Sequence, residues 1–208
     1  MLFGTIYRSW SRLPPRPRPQ LVATGVSLGA YGTDAAFSSV ADITARTNGA
    51  LFVGPPNDTQ LWQELTSERA AGSPEWQPVW HGGRTVRFAA SAGSLRLPDG
   101  TLAHPKIVYV QHADDPVVWW SPSLVLQEPG WLAGPHGSGV IPQMHWYPLV
   151  TFWQVTADLI VSTSVPPGHG HDYGPEIPAA WAALLDPPGW TTADTAALTA
   201  LEAASSLP

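Results

Sequence analysis

Ser27 stands at the centre of Gly25-Val26-Ser27-Leu28-Gly29, a G-x-S-x-G between the short apolar run Leu21-Val22-Ala23 and a segment from Leu28 onward that reads as a helix. A serine at such a strand-turn-helix junction is held in a strained backbone conformation with its hydroxyl clear of the sheet, which suits it to act as a nucleophile. Glycine two positions to either side takes away the side chains that would keep strand and helix apart. In a chain with 19 glycines the pentapeptide carries little weight alone, so its partners have to be found. Lys106-Ile107-Val108-Tyr109-Val110 is strand-like and opens into Gln111-His112-Ala113-Asp114-Asp115-Pro116, and the Gly-rich loop Val165–Tyr173 holds His169 and His171. Serine, then aspartate after a strand, then histidine in a loop is a chain order that supports acyl transfer. The serine attacks a carbonyl, the histidine takes its proton, and the aspartate fixes the histidine tautomer. The base is His169 or His171, each following a glycine, with His171 favoured by its nearness to Tyr173. Asp114 and Asp115 are also placed to cap the turn led by Pro116. A metal site at His169-x-His171 is disfavoured, because Asp172 follows His171 directly and breaks the H-x-H-x-D-H spacing. His81, His104, His112, His136 and His145 stand singly, His112 close enough to the acid to support it.

Six stretches together resemble a known family: G-V-S-L-G-A-Y-G, L-F-V-G-P-P, G-S-P-E-W, Q-H-A-D-D-P-V-V-W-W-S-P, V-T-F-W-Q-V and G-H-G-H-D-Y. They are similar to the actinobacterial α/β-hydrolase-family proteins in which a catalytic domain follows an N-terminal membrane-spanning region, and the similarity runs from about Trp10 to Trp190. The resemblance implies an α/β fold, a parallel sheet with flanking helices. It also implies a serine hydrolase fold, and the serine, aspartate and histidine chemistry leads to the expectation of an esterase- or lipase-type enzyme that needs no cofactor and acts on a small ester or acyl substrate. The family commonly has Glu before the serine, where this chain has Val26. Asp115 is preferred as the acid because Ala113-Asp114-Asp115-Pro116-Val117-Val118 resembles the x-x-D-P-V-V pattern at the end of the acid-bearing strand. The backbone N–H of Leu28 is the expected first donor to the oxyanion, and the second normally comes from a loop preceding the elbow. Only about 20 residues precede the elbow strand, so that loop and the early strands are expected to be missing, as in a chain truncated at its N-terminus. A catalytically impaired remnant, or an interaction module that keeps the elbow as architecture, is the competing expectation.

The elements that must position these residues follow from pattern. Residues 4–12 read as a short helix, and Pro14-Pro15-Arg16-Pro17-Arg18-Pro19 as an extended lead-in. Leu28–Ala45 reads as one helix, Ala50–Val53 as a second strand, and Leu61–Ala70 as a short helix. Thr85–Phe88 is a short strand or extended segment, Pro98-Asp99-Gly100 a turn, and Lys106–Val110 the third strand. Leu149–Thr163 and Pro178–Leu185 are helices, and the tail from Thr191 starts helical and frays at Ser205-Ser206-Leu207-Pro208. One domain spans residues 1–208, with 1–19 as a lead-in and 191–208 as a tail. Leu21–Thr24 is expected to pair with Ala50–Val53 on one side only, leaving an open edge that favours self-association.

Composition narrows the partners. Hydrophobic residues make up 44% and charged ones 12% of 208 residues, enough apolar material for a core despite 23 prolines. A net charge of -6 with a single lysine gives no basic face for nucleic acid and no polybasic membrane anchor. The absence of cysteine excludes disulfides and thiolate metal sites and leaves the compartment open, cytoplasmic or membrane-associated through an absent N-terminal region. No apolar run reaches the roughly 18 residues of a membrane span. Of 11 tryptophans, Trp119, Trp120, Trp131, Trp146 and Trp153 fall between the acid and the base. Trp119, Trp120 and Trp153 are candidates for the wall of an apolar substrate pocket, against the alternative that each packs the core.

Overall fold

Four short runs rich in β-branched, aliphatic and aromatic residues become the strands of a computed structural model that describes residues 2–97 and 104–205. The Pro98-Asp99-Gly100 turn and the end of the tail at Ser206-Leu207-Pro208 lie outside the described residues. In chain order the elements are α1 (Leu2–Ser11), β1 (Val22–Val26), α2 (Leu28–Asp34), α3 (Val40–Arg46), β2 (Gly49–Val53), α4 (Gln60–Ser67), β3 (Val86–Ala89), β4 (Ile107–Val110), α5 (Pro116–Trp119), α6 (Gly130–Ala133), α7 (Val150–Val161), α8 (Ile177–Leu185) and α9 (Thr192–Ser205). The sheet is parallel throughout, with strand order β1-β2-β4-β3. The fold is α/β, helices covering both faces of a parallel sheet.

Alternation along each strand sends successive side chains to opposite faces. Phe52, Phe88, Ile107 and Tyr109 join the larger core, beneath α2 to α7. Tyr109 is its centre, stacked on Phe88 at 4.6 Å and tilted against Phe52 at 4.9 Å. Leu51, Val53, Val108 and Val110 face the other way and meet Ala180, Ala183 and Leu184 of α8. Burying each large apolar side chain contributes roughly 1.5–3 kcal/mol, so these two cores hold the sheet rigid under the loops at its carboxyl end.

Two expectations change. The segment Leu28–Ala45 is broken into α2 and α3, because the Ser39 hydroxyl accepts from Asp42 N–H and starts a new helix while Phe37 turns into the core. The segment near Thr85 is a true strand, so the Lys106 run supplies the fourth strand in chain order.

β1 pairs with β2 in the register Val22↔Gly49 to Val26↔Val53, and with no other strand among the described residues. Asn48 N–H bonds to Leu21 C=O, and Ser27 N–H to Val53 C=O. The backbone groups of Val22, Thr24 and Val26 therefore point to the open side. The lead-in folds back on α1, with the Trp10 indole donating to Pro19 C=O at 2.7 Å and the Arg18 guanidinium 4.7 Å above the Trp10 ring. Phe3 fixes α1 edge-on against Phe37 at 4.7 Å. No helix among the described residues is long and apolar enough to cross a membrane.

Candidate active site

The junction of β1 and α2 is a sharp turn centred on Ser27, whose φ of 56° and ψ of -128° lie outside ordinary L-residue territory. Such strain persists only where the surroundings enforce it. Here Ser27 N–H is tied to Val53 C=O at 2.8 Å, and α2 begins at the next residue. The Ser27 side chain makes no capping bond to that helix, so its hydroxyl is not consumed by the architecture. Gly25 is what lets α2 approach, since a Cβ there would lie 2.2 Å from Gly29 C=O. A Cβ on Gly29 would meet nothing within 4 Å, so the close approach requires only the first of the two glycines. Leu28 N–H lies in the first turn of α2, where amides lack an intrahelical acceptor.

β4 ends in Gln111-His112-Ala113-Asp114-Asp115, and the loop before α8 carries His169 and His171. These two segments meet in two Asp–His pairs. His171 Nδ1 lies 2.7 Å from Asp115 Oδ2, and His169 Nδ1 lies 3.1 Å from Asp114 Oδ2. They differ in burial. The side chains of His171 and Asp115 are 9% and 0% exposed, those of His169 and Asp114 43% and 18%. Asp115 also caps α5, its Oδ1 accepting from Val117 N–H at 2.8 Å. Capping and pairing with a histidine thus coexist in one carboxylate.

The His171 ring packs against the turn after β2. A Cβ on Gly54 would lie 2.7 Å from His171 Cε1 and 2.6 Å from Tyr173 Cε2, and Gly54 has a φ of +54°, so only glycine fits there. Gly54 directly follows Val53, the residue bonded to Ser27 N–H. His171 Nε2 is buried and has no hydrogen-bond partner, so the Ser27 Oγ to Nε2 contact is not formed. Hydrogen bonds of this kind are often loose without substrate.

Three further residues surround the pair. Tyr173, reached by no catalytic pattern in the sequence, donates its hydroxyl to Asp115 Oδ2 at 2.6 Å. Burial, then the charge of Asp115, pushes its phenol well above the usual value and keeps it a donor. His112 accompanies it, with its ring stacked on Tyr173 at 4.2 Å, its N–H on the Tyr173 hydroxyl at 3.2 Å, and its Nδ1 2.9 Å from Gly170 C=O. Its Nε2 lies 3.5 Å from Glu176 Oε2. Burial disfavours the charged imidazole, but the facing Glu176 carboxylate and the bond to Gly170 C=O outweigh it and raise its pKa. The signal for Tyr173 was its position two residues after His171 in the same loop.

The three candidate wall tryptophans separate. Trp120 lines a cavity of about 330 Å³ beside the elbow, with Leu28, Tyr31, Pro56, Val117 and Leu159, and its indole donates to Thr156 Oγ1 at 2.8 Å. Trp119 is 1% exposed, packed 6.0 Å from Trp62 and 5.7 Å from Trp131, with its indole on His112 C=O. It is packed into the core and also lines a cavity of about 230 Å³ with Asp114, Asp115 and Trp131. Trp153 is 65% exposed on α7. Among the described residues no group of three or more His, Asp or Glu is arranged to hold a metal ion.

A family model described as "Alpha/beta-hydrolase family" matches residues 1–198. No curated protein and no solved structure matches the chain.

Proposed function

The chain belongs to the alpha/beta-hydrolase family, and on that premise we propose that it is a serine hydrolase of esterase type that transfers an acyl group to Ser27 and then to water. One observation carries the reading: a strained serine elbow and a buried Asp115–His171 pair flank the same turn after β2. In the proposed first step Ser27 Oγ bonds to the ester carbonyl carbon while His171 Nε2 takes the hydroxyl proton. Collapse of the tetrahedral intermediate breaks the bond to the leaving alcohol, which receives that proton. Water, activated by the same imidazole, then releases the acid and restores Ser27. Asp115 holds the Nδ1 proton and stabilises the imidazolium, and Leu28 N–H donates to the oxyanion.

The cavity lined by Leu28, Tyr31, Val117 and Trp120 is mostly apolar and starts at the residue after the nucleophile, which suits the hydrocarbon part of an acyl group. His169 with Asp114 serves in this proposal to hold the loop rather than to move protons, since both are more exposed than their counterparts. The open side of β1 is proposed as a surface for self-association.

Hydrolysis of p-nitrophenyl acetate tests the reading. Ser27→Ala, Asp115→Asn and His171→Ala should each lower kcat/KM by about 10³-fold or more. His169→Ala should cost about tenfold or less, as expected for a group outside the proton transfer. Absence of hydrolysis by folded wild-type protein would favour the remnant.

A further inference from the structure

We infer that Tyr173 is a positioning residue for the Asp115–His171 pair and sets the pH at which His171 can act as a base. This inference rests on the reading of His171 and Asp115 as base and acid. Asp115 Oδ2 receives two donors, the Tyr173 hydroxyl at 2.6 Å and His171 Nδ1 at 2.7 Å, while Oδ1 receives Val117 N–H. Both carboxylate oxygens are therefore engaged, and the carboxyl group has one orientation available.

The tyrosine is itself fixed. Its hydroxyl accepts from His112 N–H, its ring is stacked on His112 at 4.2 Å, and it meets His171 edge-on at 5.6 Å. At 3% exposure it has no solvent to bond instead. The titratable groups facing this cluster come from three places: His112, Asp114 and Asp115 after β4, His169 and His171 in the loop, and Glu176 at the start of α8. Tyr173 alone among them donates to the oxygen that His171 uses.

A donor on that oxygen draws charge away from the imidazole partner. Its removal leaves Asp115 Oδ2 more strongly attracted to the imidazolium. The His171 pKa then rises, and the fraction of neutral base falls at any pH near it.

The test uses full-length protein carrying Ser27→Ala, in which the His171 imidazole is titrated by NMR. Tyr173→Phe should raise the His171 pKa by about one unit, the scale of one hydrogen bond to a charged group. If that variant folds poorly, 3-fluorotyrosine at position 173, with the same ring and a more acidic hydroxyl, should shift the pKa downward. In wild-type background the acid limb of kcat against pH should move the same way, with kcat on that limb about tenfold lower in Tyr173→Phe and KM unchanged. A His171 titration that stays in place in both variants overturns the inference, whatever happens to thermal stability. Because the titration needs no turnover, an inactive protein with a shifted titration would refute the esterase reading and leave this one standing.

Discussion

Gly25 and Gly29 look equivalent in the pentapeptide, yet their surroundings make opposite demands. A Cβ on Gly25 would be driven to 2.2 Å from a backbone carbonyl that cannot move without shifting α2, while one on Gly29 would enter open space within a helix. Gly25→Ala should therefore destabilise by about 2 kcal/mol or more, as overpacking against fixed backbone does. Gly29→Ala should stabilise by roughly 0.5–1 kcal/mol, the helix-propensity gain over glycine. Thermal unfolding of the two variants separates them, and a similar loss in both would contradict the packing described here. At this scale the sharp turn at Ser27 and the approach of Asp114 and Asp115 to the loop of His169 and His171 were legible, because the turn, the strand end and the Gly-rich loop each carry a short local pattern. Tyr173 was not, since its hydroxyl finds Asp115 across 58 positions of sequence that no local pattern spans. Trp119 and Trp153 were grouped with Trp120 by proximity in the chain. Trp119 is almost wholly buried where it lines a cavity beside Asp115, and Trp153 faces out from α7.

Asp34 closes α2 and is completely buried, tying that helix to Tyr109 of β4 at 2.8 Å and to Thr59, the cap of α4, at 3.0 Å. Desolvation raises its pKa from 3.8 to about 6 against the lowering effect of those two bonds. The folded state thus binds its proton more tightly than the unfolded chain, so Asp34 favours folding below pH ~4 and loses that contribution as pH rises to ~6. The loss is at most ~3 kcal/mol. His112, whose pKa is also raised, works in the same direction above its ordinary value of 6.5. Urea unfolding should show stability falling from mildly acidic to mildly alkaline pH, and Asp34→Asn should flatten the acidic part of that fall. A stability that rises steadily over the same range would contradict the burial of both groups. These elements were foreseen in kind and place, apart from the break between α2 and α3. Ser39 and Asp42 form that cap, but the apolar periodicity across Leu28–Ala45 masks it.

At the scale of the molecule, the sheet is organised around β2 and β4, each bonded on both sides, while β1, which leads into Ser27, lies at an edge of the described sheet. This one-sided pairing was readable from the lack of any strand-like run before Gln20, and the order β1-β2-β4-β3 was not, because crossovers leave no local trace. With the backbone of Val22, Thr24 and Val26 unpaired by any described strand, sedimentation velocity should show association that strengthens with concentration. Thr24→Pro, which removes one outward N–H without touching the bonds to β2, should weaken it; a concentration-independent monomer would count against that surface. The central claim concerns Ser27, and one measurement addresses it most directly. Folded wild-type protein is treated with a fluorophosphonate, digested, and the adduct located by peptide mass spectrometry, with Ser27→Ala as control. The account predicts one adduct, on Ser27, that disappears in the control. An adduct on another serine, or labelling undiminished in Ser27→Ala, would contradict it.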